Sequence, residues 1–215
     1  GFHLMDAGTG KDLQFIPGHD GGADRLTLEP RTARVTFPVV TKGVELWAPA
    51  PGEKRSIVGV HESFVQTIDH SPDGSVFASG GFDRKVRVWR ATDGALVREL
   101  GDSREVVEFV KFSPDGALLG TLDRGGTLRL WDTSTWRQEF HLPGLDAPRF
   151  HFDFSPDGQR IAVIGSGGRL WLWNHRRGGL EIIDWIPDMS PHELKFISET
   201  RLLLVGATAN QGRIL

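Results

Sequence analysis

The chain has 215 residues, of which 39% are hydrophobic, and its 25 basic and 28 acidic side chains leave a formal net charge of -3. That balance offers no one-signed block to suit nucleic acid or an anionic membrane, and no apolar run approaches the roughly 18 residues of a membrane span. There is no Cys, which excludes disulfides, thiolate-held zinc and thiol nucleophiles but fits a reducing or an oxidising compartment alike, with the cytoplasm as the working expectation.

Taken in chain order, the segments with strand character form rows. Trp47, Trp89, Trp131 and Trp173 follow one another at a constant interval in the low forties. Each closes a short alternating run: Val44 to Trp47, Val86 to Trp89, Leu128 to Trp131, Leu170 to Trp173. Upstream of these lies a second row, Leu26-Thr27-Leu28, Ile68-Asp69-His70, Val110-Lys111-Phe112, Phe152-Asp153-Phe154 and Leu194-Lys195-Phe196, with the period-2 pattern of strands. A Ser-Pro-Asp-Gly quartet recurs with the same interval at Ser71, Ser113 and Ser155. Its Pro presets φ and its Gly closes the turn, so it predicts a hairpin leading into apolar stretches such as Val76-Phe77-Ala78 and Ile161-Ala162-Val163. A fourth row follows each Trp, as Leu13-Gln14-Phe15, Ser56-Ile57-Val58, Leu96-Val97-Arg98, Glu139-Phe140-His141 and Glu181-Ile182-Ile183.

Four short strands per period leave no room for a helix of ordinary length, so the class is all-β. A period in the low forties predicts a β-propeller of four-stranded antiparallel blades, with repeats at about 6-47, 48-89, 90-131, 132-173 and 174-215 in a single region over 1-215.

The residues resemble the WD40 family. Trp131-Asp132 is a literal Trp-Asp pair, Gly18-His19 is similar to that family's Gly-His dipeptide, and His19 and His61 each precede a Trp of the main row by the same distance. The resemblance implies that His61, Ser79, Asp83 and Trp89 form a structural hydrogen-bond network tying the loop that enters a blade to its inner strands. Later repeats depart from it. Ser103 and Gly125 replace His61 and Asp83 in the third, with Asp123 near enough to substitute; Leu145 and Gly167 stand at those places in the fourth; and the fifth reads Ile197-Ser198-Glu199-Thr200 where the turn quartet belongs.

The family's commonest closed form has seven blades. Five periods plus one spare strand therefore predict an incomplete part of a seven-bladed propeller whose exposed blade faces invite association, unless the first strand pairs with the last blade to close a smaller ring.

Each candidate for chemistry has a structural role to set against it. His70 occupies a row held by Phe112 and Phe154, and His141, His151, His175 and His192 lack ligand spacing, so no metal and no cofactor are assigned. Ser79, His61 and Asp83 make a triad on paper, but the blade network accounts for all three and no nucleophile elbow exists, so no catalytic residue is assigned. Asp73, Asp115 and Asp157 read as turn formers, Gly165 to Gly168 as a tight turn, and Arg176-Arg177 as a solvated one.

The expected function is a non-catalytic protein-interaction scaffold within a larger protein, binding protein partners rather than nucleic acid or membrane. Its predicted docking face carries Glu62, Phe64, Phe82, Arg104 and Arg124, with Phe82 either an exposed anchor or folded against the next blade. Two alternatives stand beside it: a propeller similar to the TolB-like or peptidase-associated bacterial group, whose turns are also rich in Ser-Pro-Asp-Gly, and an enzyme using the central funnel.

Overall fold

The computed structural model describes residues 2–5, 8–16, 27–28, 30, 35–39, 43–47, 56–101, 103–142, 150–165, 169–175, 177–183, 191–206 and 213–214. Gly18, His19, Leu145, residues 166–168 and Arg176 lie outside them.

The described strands form six antiparallel sheets in chain order. The first pairs β1 (Phe2–Met5) with β2 (Asp12–Ile16). The second runs β3 (Thr27–Leu28), β4 (Val35–Val39), β5 (Gly43–Trp47), β6 (Ser56–Val60). The third runs β7 (Val65–His70), β8 (Val76–Gly81), β9 (Val86–Arg90), β10 (Leu96–Leu100), and the fourth β11 (Val107–Phe112), β12 (Leu118–Asp123), β13 (Leu128–Asp132), β14 (Gln138–Leu142). The fifth runs β15 (Phe150–Phe154), β16 (Arg160–Gly165), β17 (Leu170–Asn174), β18 (Gly179–Ile183), and the sixth β19 (Pro191–Ser198), β20 (Arg201–Gly206), β21 (Arg213–Ile214). Each four-stranded sheet is a meander in which neighbours in sequence are neighbours in space, as propeller blades require. The sequence period is out of phase with the sheets by one strand: 48-89 opens on β6 of the second sheet and closes on β9 of the third. Among the described residues β1 pairs with β2, and no ladder joins β1 to the sixth sheet.

The Ser-Pro-Asp-Gly turns explain why the first two strands of a blade fold back on each other. In all three the Gly N–H donates to the Ser carbonyl at 2.8 Å, and Gly74, Gly116 and Gly158 take φ of 68°, 71° and 65°. Only Gly enters that region without a Cβ penalty. The Ser hydroxyl donates to the Asp carboxylate within the turn, at 2.6 Å for Ser71 to Asp73. The carboxylate also accepts the N–H two residues on, which pins the strand that follows.

Successive sheets are held together in two ways. The first is apolar packing of each second strand against the first strand of the next sheet. Ala78 shares a core cluster with Val110 and Phe112, and Ala162 shares one with Leu194 and Phe196. At Gly120 a Cβ would stand 2.6 Å from the rim of Phe152. The second is polar. First strands are sheet edges whose N–H groups have no ladder partner on one side. Thr67 Oγ1 accepts Val110 N–H at 3.1 Å, Asp69 accepts Phe112 N–H at 2.7 Å, and Asp153 accepts Phe196 N–H at 2.7 Å, each reaching one sheet onward. Lys111, which cannot accept, sets its ammonium 2.5 Å from Asp153 instead. His70 is buried against Phe77 and contacts Thr36 Oγ1 of the second sheet at 2.7 Å.

Candidate functional site

Two ends of the strands differ in chemistry. One carries the Ser-Pro-Asp-Gly turns. The other carries the loops entering each first strand and the turns between second and third strands, and it gathers Glu62, Phe64, Phe82, Arg104 and Arg124.

The foundation of that second end is a chain of buried hydrogen bonds in the third sheet. Trp89 Nε1–H donates to Ser79 Oγ at 2.7 Å, Ser79 lies 2.6 Å from His61 Nε2, and His61 Nδ1 lies 3.0 Å from both oxygens of Asp83. A carboxylate can only accept, so Nδ1 carries the ring proton, Nε2 accepts from the Ser79 hydroxyl, and every polar group of the four is satisfied. Ser79 and His61 are 0% and 1% exposed, so although these residues have the connectivity of a hydrolase triad, the hydroxyl faces an indole rather than a substrate. Asp83 further accepts from Arg87 Nη1 at 2.6 Å and from Glu62 N–H at 3.1 Å. Burial opposes its ionisation, but the hydrogen bonds from His61 and Arg87 outweigh that and hold the carboxyl well below the usual carboxylate range.

In the fourth sheet the chain of hydrogen bonds is broken into two separate links, and its carboxylate stands two residues before the place of Asp83. Trp131 Nε1–H donates to Thr121 Oγ1 at 3.1 Å, while Ser103 Oγ donates to Asp123 at 2.6 Å, and Asp123 also accepts from Arg129 Nη1 at 2.8 Å. Asp123 thus takes the part that Asp83 plays in the third sheet. In the fifth sheet Trp173 has no hydroxyl beside it at that register, Val163 occupying the place, and its ring stacks on Phe140 at 3.8 Å between centroids.

On this foundation Phe64 and Phe82 are 50% and 41% exposed. Their rings meet edge to face at 6.2 Å and 86°, and the Phe82 N–H donates to the Phe64 carbonyl at 2.9 Å. Phe82 therefore stands at the surface rather than folding under the next sheet. Arg124, from the fourth sheet, lies over the Phe82 ring at 5.5 Å and donates through Nε to Glu108 at 2.8 Å. Glu62 is exposed and accepts from Lys85 Nζ at 3.1 Å. Arg104 is exposed on the neighbouring entry loop. The face thus combines a fixed aromatic pair with charges of both signs.

Sequence reasoning missed Arg87 and Arg129, which stand one full period apart and reach the two network carboxylates. It also missed Trp136, which falls in a row with Gly94 and Gly178 when the repeats are stacked. Among the described residues no cluster of three or more His, Asp or Glu is placed to hold a metal ion.

A family model described as WD domain, G-beta repeat, matches residues 52–90 and 94–132, two stretches that run from the outermost strand of one sheet through the third strand of the next. Actin-interacting protein 1 of Drosophila melanogaster is 30% identical over 98 residues, 45% of this chain and 16% of that protein. A ribosome biogenesis protein WDR12 homolog of Drosophila persimilis is 33% identical over 89 residues, 38% of this chain and 21% of that protein. Polyadenylation factor subunit 2 of Yarrowia lipolytica is 31% identical over 94 residues, 37% of this chain and 18% of that protein. The chain therefore spans about a fifth or less of these relatives. All are eukaryotic, and none supports the bacterial resemblance drawn from the Ser-Pro-Asp-Gly turns.

Proposed function

We infer that this chain, which is built of WD40 repeats, is a non-catalytic docking scaffold whose partner is a protein seated on the face of Glu62, Phe64, Phe82, Arg104 and Arg124. The observation that carries the reading is the exposed Phe64 and Phe82 pair, locked edge to face and flanked by Arg124. Aromatic and Arg side chains held in place by their surroundings lose little entropy on binding and dominate the energetics of protein interfaces. A propeller face is wide enough to bury the roughly 1,200 to 2,000 Å² of a specific interface without rearrangement. The relatives' printed names place them with actin, in ribosome biogenesis and in polyadenylation. For this chain the balanced charge favours a protein over a nucleic-acid partner. A scaffold reading also agrees with the sealed position of Ser79, His61 and Asp83.

The test is comparative affinity capture followed by cross-linking mass spectrometry, with wild type beside Phe82→Ala and Phe64→Ala. Partners that depend on this face should fall by about tenfold or more in both variants. They should stay with Arg98→Glu on the outer strand β10. A partner set unchanged in Phe82→Ala removes that residue as an anchor.

A further inference from the structure

The end of the strands that carries Phe64 and Phe82 is tied together by three backbone hydrogen bonds. Phe82 N–H, in the turn between β8 and β9, donates to the Phe64 carbonyl of the loop entering β7 at 2.9 Å. Ser103 N–H, in the loop entering β11, donates to the Arg84 carbonyl at 3.0 Å, and Arg124 N–H, in the turn between β12 and β13, donates to the Val106 carbonyl at 2.8 Å. Entry loop, turn, next entry loop and next turn thus form one continuous strip from the third sheet to the fourth. The Arg124 guanidinium reaches back along it to lie over the Phe82 ring, 5.5 Å from its centre.

Most of the charge on this strip is already matched. Glu62 is held by Lys85 Nζ at 3.1 Å and by Arg87 at 3.8 Å, and Glu108 accepts from Arg124 Nε at 2.8 Å. The carboxylates of Asp83 and Asp123 are buried and paired with Arg87 and Arg129. Arg84 and Arg104 differ. Both are exposed, and among the described residues no hydrogen bond, ion pair or ring contact engages either guanidinium. Of the described carboxylates on the strip, Glu105 alone is likewise unmatched, and its stem lies against Gly125, where a Cβ would meet its Cγ at 3.1 Å. Two free guanidiniums beside an exposed aromatic pair therefore stand against one free carboxylate.

We propose that this strip, on the reading that it is the docking face, receives an acidic peptide segment of the partner: an apolar side chain set against Phe64 and Phe82, flanked by Asp or Glu side chains that pair with Arg84 and Arg104. A guanidinium binds a carboxylate through two parallel N–H···O bonds, and the exposed rings supply the apolar anchor between the two charges. A basic segment would meet Arg84, Arg104 and Arg124 and be repelled. Single-stranded nucleic acid fits less well. Its bases bind by stacking on open aromatic faces, whereas Arg124 already lies over Phe82, and Glu62, Glu105 and Glu108 interrupt the positive surface that a run of phosphates needs.

The experiment selects a random dodecapeptide display library on the immobilised intact chain and measures the enriched peptides, made synthetically, by fluorescence anisotropy. Enriched sequences carry an apolar residue flanked by Asp or Glu. Their Asn and Gln counterparts bind at least about tenfold more weakly, as do the acidic peptides themselves to an Arg84→Gly, Arg104→Gln double variant and to Phe82→Ala. Arg84→Gly spares the fold, because Arg84 has a φ of 65° and the same turn in the fourth sheet holds Gly126 at 74°. Enrichment of basic or uncharged sequences, no enrichment, or tighter binding by a short oligouridine than by the peptides overturns the assignment. Peptides lost with Phe82→Ala but kept in full by the double Arg variant overturn the acidic class and leave the docking face standing. Peptides indifferent to both variants remove the docking face as well.

Discussion

Asp83 and Asp69 are carboxylates of one sheet with opposite responses to acid. For Asp83, burial is outweighed by the hydrogen bonds from His61 and Arg87, and the carboxyl titrates below its ordinary range. Its contribution to stability is complete above about pH 4 and is lost as the pH falls toward the depressed value. For Asp69 burial wins over the Phe112 N–H and the Lys111 ammonium, and the carboxyl is pushed up to about 6. A group raised in the folded state stabilises most below its unfolded pKa of about 4, and that contribution is lost as pH rises through about 6. Asp69→Asn keeps an acceptor for the Phe112 N–H but has no charge to bury. It should therefore remove the loss of stability between about pH 4 and 6 and raise stability at neutral pH by on the order of 1–3 kcal/mol, leaving the acid loss due to Asp83 in place. Urea midpoints at several pH values measure this, and a variant whose midpoint tracks wild type across that range would show that Asp69 is not the group responsible.

Within the stack of sheets, large and small side chains trade places in register. Val110, Phe152 and Leu194 share one position of the first strand, and Ala78, Gly120 and Ala162 share the facing position of the sheet before, so the largest of the first row meets the smallest of the second. A Cβ at Gly120 would stand 2.6 and 2.8 Å from two atoms of the Phe152 ring and 3.3 Å from Phe154. Gly120→Ala should cost about 1–3 kcal/mol, the usual range for overpacking. Adding Phe152→Leu reproduces the Ala162 and Leu194 pair of the next sheets and should recover most of that loss, so the double mutant is more stable than the sum of the single changes predicts. Strict additivity would mean that the two sites do not share the contact. This pair also marks where the sequence was legible. The Trp row, the turn quartet and the network of His61, Ser79, Asp83 and Trp89 each display their own chemistry, and the first two recur at a constant interval in four and three of the repeats, so strand order and network could be read directly. Gly120 carries no such mark, because its role is set by the size of a ring on another sheet. The hydrogen bonds from Phe112 to Asp69 and from Phe196 to Asp153 were hidden for a similar reason: the acceptor is a side chain, but the donor is backbone one sheet onward and has no residue identity. Trp136 was legible in principle, as the non-Gly member of an aligned row, but stood outside the Trp row that drew the reading.

For the whole molecule, the question is how far a local change travels. The contacts described between sheets join each to the next: Ala78 to the fourth, Gly120 to the fifth, Ala162 to the sixth, with Asp69 and Asp153 making the same single step in hydrogen bonds. Stability in such a stack is approximately a sum of sheet terms and nearest-neighbour terms, so a weakened interface loosens its two sheets first. A ring closed on itself behaves differently, since opening one interface does not free a sheet that its other neighbour still holds, and loss becomes global. Amide hydrogen exchange on Gly120→Ala separates the two regimes. Nearest-neighbour coupling predicts that exchange accelerates in the strands from β11 to β18, on both sides of the altered contact, while β7, β8 and β9 of the third sheet keep their wild-type rates. In the unaltered chain the outer strands β10 and β14, whose side chains are largely exposed, should exchange faster than the buried second strands β8 and β12. Acceleration by one common factor in all of these strands would mean that the sheets open together, and the stepwise contacts would then be only part of what binds them.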